Sequence, residues 1–477
     1  MAKIIIAGAG FAGHYAALIL QDSLKKLDNN HQITVVSRVN KFTYIPSLVW
    51  VGVGDMEVKD VQFPLKPVYD RLDIDFVHGA LTEVYPDDNQ VKVELLEDTK
   101  ADKKLSYDFL LIATGPYLNF EATPGLGVEK GFTASICSPP HAVDAYKRYI
   151  STLDRVLKGD KVKIVVGTGH GTATCQGAAF EYICNIHNDL VRKGIRDKVE
   201  LLWLSNEPAL GDFGIDGLEV KKGNDIFTSQ MLVDALFDEY NINYEIRSHV
   251  HKIDEKKIYT ENVEGEFKEI NYDFAMLIPP FKAQPIKFVN KDGEDITEKV
   301  CNPAGFIKVD ANYGKPYEEL DGPDWPRYYQ NPTYKNIFSA GIAFAPPGPL
   351  SKPSKSPNGT LISPAPPRTG YTAELSGKAA ALNIVEMIKG NDPIHSASMA
   401  ETPGLCVASL KKSIFTGEAV TIAIYPVARN YSKYPEFGRD LQMCAAEIGM
   451  AGAWFKFFLH YAFMYKLQAK PGWKFIP

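Results

Sequence analysis

Six cysteines are spread through the 477 residues, and no two stand in a Cys-x-x-Cys spacing. They are too few for a disulfide scaffold and wrongly spaced for zinc, so each is judged on its surroundings. Cys175 follows the turn Gly167–Thr172 and falls in the expected first turn of a helix. There the helix dipole and free N–H groups favour a thiolate, which is both a nucleophile and a redox group. A lone cysteine is more often a small buried hydrophobe, and Cys184, Cys301 and Cys444 are read that way. Glu181, six residues after Cys175, is a candidate proton acceptor. That spacing does not share a helical face, so only the tertiary fold can bring the two together.

The elements that position such residues read as alternating strands and helices, hence parallel sheets. Ile4-Ile5-Ile6-Ala7 is a buried strand, and Gly8-Ala9-Gly10-Phe11-Ala12-Gly13 fits the GxGxxG dinucleotide turn. A helix from Phe11 to Leu27 and a strand at Ile33–Val36 complete the unit. Glycines here let the backbone approach a pyrophosphate seated on the helix N-terminus. Where an acid usually meets the ribose, the chain has Ser37 and Arg38, of which the serine is the weaker substitute or a plain turn residue. A further strand, Phe109–Ala113, ends in Thr114-Gly115. A second unit starts at Val162–Val166, but its turn, Gly167-Thr168-Gly169-His170-Gly171-Thr172, has lost the third glycine. A retained scaffold fits that turn better than a nicotinamide site.

Segment 345–367 holds eight prolines and reads as an irregular lid or subunit contact. A helix from Thr372 to Lys389 follows. The expected fold class is α/β, with two Rossmann-like dinucleotide-binding domains and a C-terminal amphipathic membrane-binding tail. The expected divisions are 1–150, 151–275, 276–390 returning to the first domain, and 391–477. A net charge of −6 gives no reason to expect a nucleic-acid partner, and no metal site is expected. No signal peptide and no spanning run of 18 apolar residues are seen.

With these motifs in view, the chain resembles the sulfide:quinone oxidoreductases. Ser37–Gly54 (SRVNKFTYIPSLVWVGVG), SICSPPHA around Cys137, TCQGAAFEY around Cys175, FSAGIA and the later RTGY carry the resemblance, which runs to about residue 425. It implies bound FAD, held by Gly8, Gly10, Ala12, Gly13, Ser37, Arg38, Thr114, Gly115, Gly341, Thr369 and Gly370. It implies that Cys175 and Cys406, in GLCVAS, are the redox pair beside the flavin, one of them forming an adduct with it. Cys137 matches a third family cysteine, which in some members attaches the flavin, and His141 matches another family position. Hydrogen sulfide and a membrane quinone are the implied partners, polysulfide the product, and an oligomer the implied assembly. Two departures stand out: Asp212, in EPALGDFGI, replaces a family histidine, and loop 345–367 is longer than expected. Ala340-Gly341-Ile342 also replaces the usual AGD, leaving backbone amides near Gly341 to reach the flavin.

Phe415, Ile424 and Tyr425 are suited to an apolar quinone pocket, and core packing explains them equally well. Between Trp454 and Tyr465, seven of twelve residues are aromatic, and residues 448–477 hold four lysines and no acid. Such a helix suits the lipid headgroup layer, with the lysines drawn to anionic lipid, so a peripheral, monotopic place on the cell membrane is expected. The competing readings are a monotopic NADH:quinone oxidoreductase, a sulfide dehydrogenase flavoprotein donating to a cytochrome, and a non-catalytic flavin redox sensor.

Overall fold

A computed structural model describes residues 2–27, 31–96, 101–367 and 369–476. Strand β1 (Lys3–Ala7) is buried from Ile4 onward, as a strand with helices on both faces of its sheet must be. The chain passes through helix α1 (Phe11–Leu24) to β2 (Gln32–Ser37), then to β3 (Asp75–Tyr85) and β4 (Phe109–Ile112). β1 lies between β2 and β4, all parallel, with Ile5 opposite Thr34 and Leu110.

Helix α2 (Pro139–Leu157) leads into a second parallel sheet of β5 (Val162–Thr168), β6 (Val199–Leu204), β7 (Ile242–Glu245) and β8 (Phe274–Ile278), in the order β7-β6-β5-β8. Helix α3 (Gln176–Arg192) connects β5 to β6. The chain then returns: β9 (Ile337–Ser339) pairs with β4 at the edge of the first sheet, and α4 (Gly370–Ile388) packs on α1. An antiparallel sheet of β10 (Gly404–Lys411), β11 (Glu418–Ile424) and β12 (Ala445–Gly449) carries helix α5 (Met450–Leu467).

Two expected divisions fall inside elements. α2 runs through position 150 and stacks Tyr149 edge-on against Phe274 of β8 at 6.1 Å, so it belongs with the second sheet. β8 runs through position 275 with all its pairing in that same sheet. A helix or a paired strand is a single hydrogen-bonded unit, which puts the boundaries in the chain before Pro139 and after Ile278. α1 ends at Leu24 rather than Leu27, and α4 begins at Gly370 rather than Thr372. Among the described residues no helix is long and apolar enough to cross a membrane.

The α1–α4 contact brings the C-terminal elements onto the first sheet. A Cβ on Gly377 would stand 2.3 Å from Ala12 O, so that glycine sets how closely the helices approach. Gly377→Ala is therefore expected to force them apart and lose about 1–3 kcal/mol, read as a lower Tm. An unchanged Tm would show that this contact does not set the spacing.

Candidate active site

At the first turn each glycine has a different task. Gly8 has φ +108°, and a Cβ there would meet Ala113 O at 2.1 Å; one on Gly13 would meet Gly8 O at 2.0 Å. Those two make the turn possible. Gly10 has nothing within 4 Å of its Cβ position, and α1 has no side-chain cap. The helix N-terminus thus opens onto free space with unused N–H groups, which fits the pyrophosphate of FAD. Gly115, at φ +70°, is open in the same way. Ser37 Oγ accepts the Val39 amide at 3.2 Å, leaving its hydroxyl proton to donate to a ribose, whereas Arg38 points to Gln284 Oε1 at 2.6 Å. Gly341 corrects an expectation. Its N–H donates to Ser376 Oγ at 3.0 Å and is already used within the protein, as its close fit on Ala12 requires. Thr369 caps the start of α4 by position only, and Gly370 lies against the Phe11 ring. Arg368 of the RTGY stretch lies outside the described residues.

The second turn is filled. Gly169 N–H donates to Ile278 O at 2.8 Å, Gly171 N–H to His249 Nδ1 at 2.9 Å, and Thr172 N–H to His170 Nδ1 at 3.1 Å. The proline-rich loop closes over it: Ser363 N–H donates to Gly171 O and Ala365 N–H to Ala173 O, at 2.8 and 3.2 Å. α3 starts only at Gln176, past the turn. Amides that would hold a second pyrophosphate are taken, and a lid of the chain's own backbone lies where it would sit.

Cys175 is not in the first turn of α3 but is its N-cap, in the left-handed conformation at φ 68° and ψ 34°. A non-glycine residue held there stores about 1 kcal/mol or more of strain, a feature that collects at functional sites. Cys406, on β10, comes to the same end of the helix: its Sγ stands 4.0 Å from the Cβ position of Gly177. The Cys406 sulfur thus lies beside the first turn of α3. The residue is exposed, yet enough protein surrounds the thiol that burial pushes it up to about 11, while Lys456 pulls it down and Glu181 pushes it up. Cys137 lies just before α2, its thiol also raised to about 11 by burial and lowered by Ser135. No disulfide is formed among the described residues.

Glu181 reaches the cysteines through a residue that sequence reasoning missed. Lys456 of α5 is buried, with Nζ 3.0 Å from Glu181 Oε2 and 2.8 Å from Val407 O, next to Cys406. Glu181 Oε1 is buried with no partner among the described residues, and burial raises the carboxyl against the opposing pull of Lys456. Ten residues on, Lys466 pairs with Glu374 of α4 at 2.8 Å, both side chains 2% exposed, and burial pushes Glu374 up to about 7 despite the lysine. Tyr44 packs edge-on to His460 and Phe11, and burial raises its hydroxyl, with both glutamates adding to the rise.

The family described as Pyridine nucleotide-disulphide oxidoreductase matches residues 2–188. A sulfide-quinone reductase of Aquifex aeolicus is 31% identical over 86% of this chain and 81% of that protein. The chain belongs to the sulfide-quinone reductase family. It is accordingly a flavoprotein oxidoreductase, and FAD is its cofactor. A mitochondrial sulfide:quinone oxidoreductase of Dictyostelium discoideum is 25% identical over 71% of this chain and 64% of that protein. The solved sulfide:quinone oxidoreductase of Aquifex aeolicus superimposes with a TM-score of 0.76 at 27% identity, covering 98% of this chain and 92% of that one. NDH2 from Plasmodium falciparum in complex with NADH shares the fold alone, at TM-score 0.64 and 15% identity over 97% and 94% of the two chains.

Within this family frame, the remaining expected site residues divide. His141 stands on α2 and bonds Glu129 at 2.9 Å, and its Nδ1 is buried with no partner among the described residues. Phe415, Ile424 and Tyr425 do not form one pocket. Phe415 is 86% exposed near the tip of the β10–β11 hairpin, Ile424 is buried, and Tyr425 follows the far end of β11. Seven residues of strand separate the ends by about 20 Å. The tail also corrects an expectation. Lys456, His460 and Lys466 face inward, so two of the four lysines cannot meet lipid, and Lys474 pairs with Asp22.

The Lys466–Glu374 pair gives a stability prediction. Glu374→Gln leaves Lys466 buried without its counter-charge and is expected to lose on the order of 3–5 kcal/mol. Glu374→Gln with Lys466→Met is expected to recover most of that, read by denaturant unfolding at pH 7.5. A carboxyl raised to about 7 binds its proton more tightly folded than unfolded, so its contribution is most favourable below its ordinary value of 4.5 and falls as pH rises towards 7. The double variant is expected to lose that slope; retention would place the slope elsewhere.

Proposed function

We propose that this protein oxidises sulfide at Cys175 and Cys406 and delivers the electrons to a membrane quinone through FAD. What supports the reading most is the meeting of Cys406 with the Cys175 end of α3, two positions far apart in sequence. In the oxidised state the two sulfurs form a bridge. Hydrosulfide attacks Cys175, a new S–S bond forms, and Cys406 leaves with the electron pair as a thiolate. Lys456, which pulls the Cys406 thiol down against burial, gives the departing thiolate a counter-charge. Glu181, with one bare oxygen, takes the proton released as persulfide is oxidised, and Lys456 keeps that acid in reach of Cys406. FAD held at the Gly8–Gly13 turn would supply the acceptor for the electron pair and the link to quinone. Repeated rounds lengthen the sulfur chain until polysulfide leaves. The lid over residues 171–173 keeps competing reductants from the second turn.

The outward face of α5 carries Trp454, Phe458, Tyr461 and Tyr465, all exposed, and Trp454 Nε1 holds the hairpin tip by Ile414 O at 2.7 Å, beside Phe415. These aromatics form a monotopic seat on the bilayer, from which a lipid-soluble quinone reaches the protein without a spanning helix.

Anaerobic mixing with sulfide is expected to bleach the visible flavin band, soluble quinone to restore it, and Cys175→Ala or Cys406→Ala to slow bleaching by at least about a thousandfold. NADH is expected to leave the band unchanged; bleaching by NADH alone would replace this reading with an NADH:quinone oxidoreductase.

Because its inward lysines are already paired, the membrane seat is expected to be apolar rather than electrostatic. Binding to phosphatidylcholine vesicles is expected to survive 0.5 M salt, and Trp454→Ser with Phe458→Ser to weaken it about tenfold or more. Release of the wild-type protein by salt would sink that idea.

A further inference from the structure

Cys175 is flanked by two buried polar atoms that have no partner among the described residues, Thr174 Oγ1 and Gln176 Oε1. Thr174 is 3% and Gln176 0% exposed. A bare buried polar atom costs on the order of 1–3 kcal/mol, so two beside a reactive sulfur call for a ligand that completes them.

The direction of the Gln176 amide follows from its neighbours. Asn206 Nδ2 donates to the carbonyls of Gly171 and Ala173, both at 3.0 Å, which turns Asn206 Oδ1 towards Gln176. Gln176 Nε2 donates to that oxygen at 2.9 Å and to Ala173 O at 3.3 Å. With Nε2 held in this way, Oε1 faces away from the network. It looks towards Gly214, whose Cβ position lies 3.1 Å from Oε1, 3.3 Å from Pro367 Cδ and 3.5 Å from Ala365 O. The 211–217 loop and the proline-rich lid thus come together near this oxygen.

The two orphans differ in kind. Gln176 Oε1 only accepts a hydrogen bond, whereas the Thr174 hydroxyl can donate one. Hydrosulfide offers both complements, a charged sulfur that accepts and one S–H that donates. An organic thiolate has the charge but no S–H. We propose that Thr174 and Gln176 form a hydrosulfide subsite beside Cys175 that selects HS⁻ over organic thiolates. This rests on the sulfide reading above. Thr174 donates to the anion and Gln176 Oε1 accepts from S–H, which orients the sulfur for attack. When the bond to Cys175 forms and the bond to Cys406 breaks, the electron pair goes to Cys406 Sγ. The proton stays on the incoming sulfur, now the end of a persulfide, still held by Gln176.

The test is anaerobic bleaching of the FAD-loaded enzyme at graded concentrations of sulfide and, separately, of methanethiolate. Thr174→Val and Gln176→Met are each expected to raise the sulfide concentration giving the half-maximal rate about tenfold. The limiting rate and the methanethiolate reaction are expected to change less than twofold, and Thr174→Ser to restore sulfide affinity. Equal losses for both nucleophiles would mark a merely structural role and overturn the subsite. So would an unchanged sulfide dependence in Thr174→Val, which is close in shape to threonine and is expected to keep its FAD. Failure of the wild-type enzyme to bleach with sulfide would overturn the sulfide reading itself, and the subsite with it.

Discussion

Two lysines buried on one helix hold the molecule in its working arrangement. An ammonium taken from water into a protein interior is tolerated only when a counter-charge and hydrogen bonds replace its hydration. Lys456 meets that demand with Glu181 on α3, and Lys466 with Glu374 on α4. Since α3 belongs to the second sheet and α4 packs on the first, α5 can dock only where both glutamates are presented together. His14 adds a third tie, its Nε2 donating to Leu467 O at 2.6 Å while Nδ1 accepts from Tyr69. Burial lowers that histidine to about 4, so it stays neutral and the tie persists at ordinary pH. Through Lys456, α5 thus ties Glu181 to the strand that carries Cys406.

The same fold is used in opposite ways at its two dinucleotide turns. At Gly10 the helix N-terminus faces open space, and at Gly171 every neighbour has closed in. His249 and His170 serve there as internal acceptors for turn amides, and burial lowers both, His249 to about 4, so each keeps a neutral nitrogen able to accept. The missing third glycine is the visible sign of this change. Once the turn no longer admits a pyrophosphate, the following stretch is released from helix geometry, and Cys175 can occupy a left-handed cap instead of a helical turn.

Much of this was legible in the sequence, and the rest failed for identifiable reasons. The first turn and the alternating elements followed from motif spacing, and the family from resemblance. Domain boundaries did not, because nothing local says which sheet an amphipathic helix such as α2 will cover. Gly341 was misread since its amide is taken by Ser376, a partner 35 residues away. α5 was half read. Its aromatic content was seen, but 456, 460, 463 and 467 share one stripe and 454, 458, 461 and 465 the other, and that spacing shows two faces of different character. Lysine and histidine on the first stripe suggest solvent by default. Only the glutamates waiting on α3 and α4 make it the buried one.

A further constraint explains why both cysteines sit where they do. Burial alone would raise a thiol and make it inert, as it does for Cys184 deep in α3. Cys406 is raised too, but there the Lys456 ammonium pulls against burial while Glu181 adds to it. With its thiol raised on balance, Cys406 is a poor nucleophile at rest, and any thiolate formed there depends on Lys456 for its counter-charge.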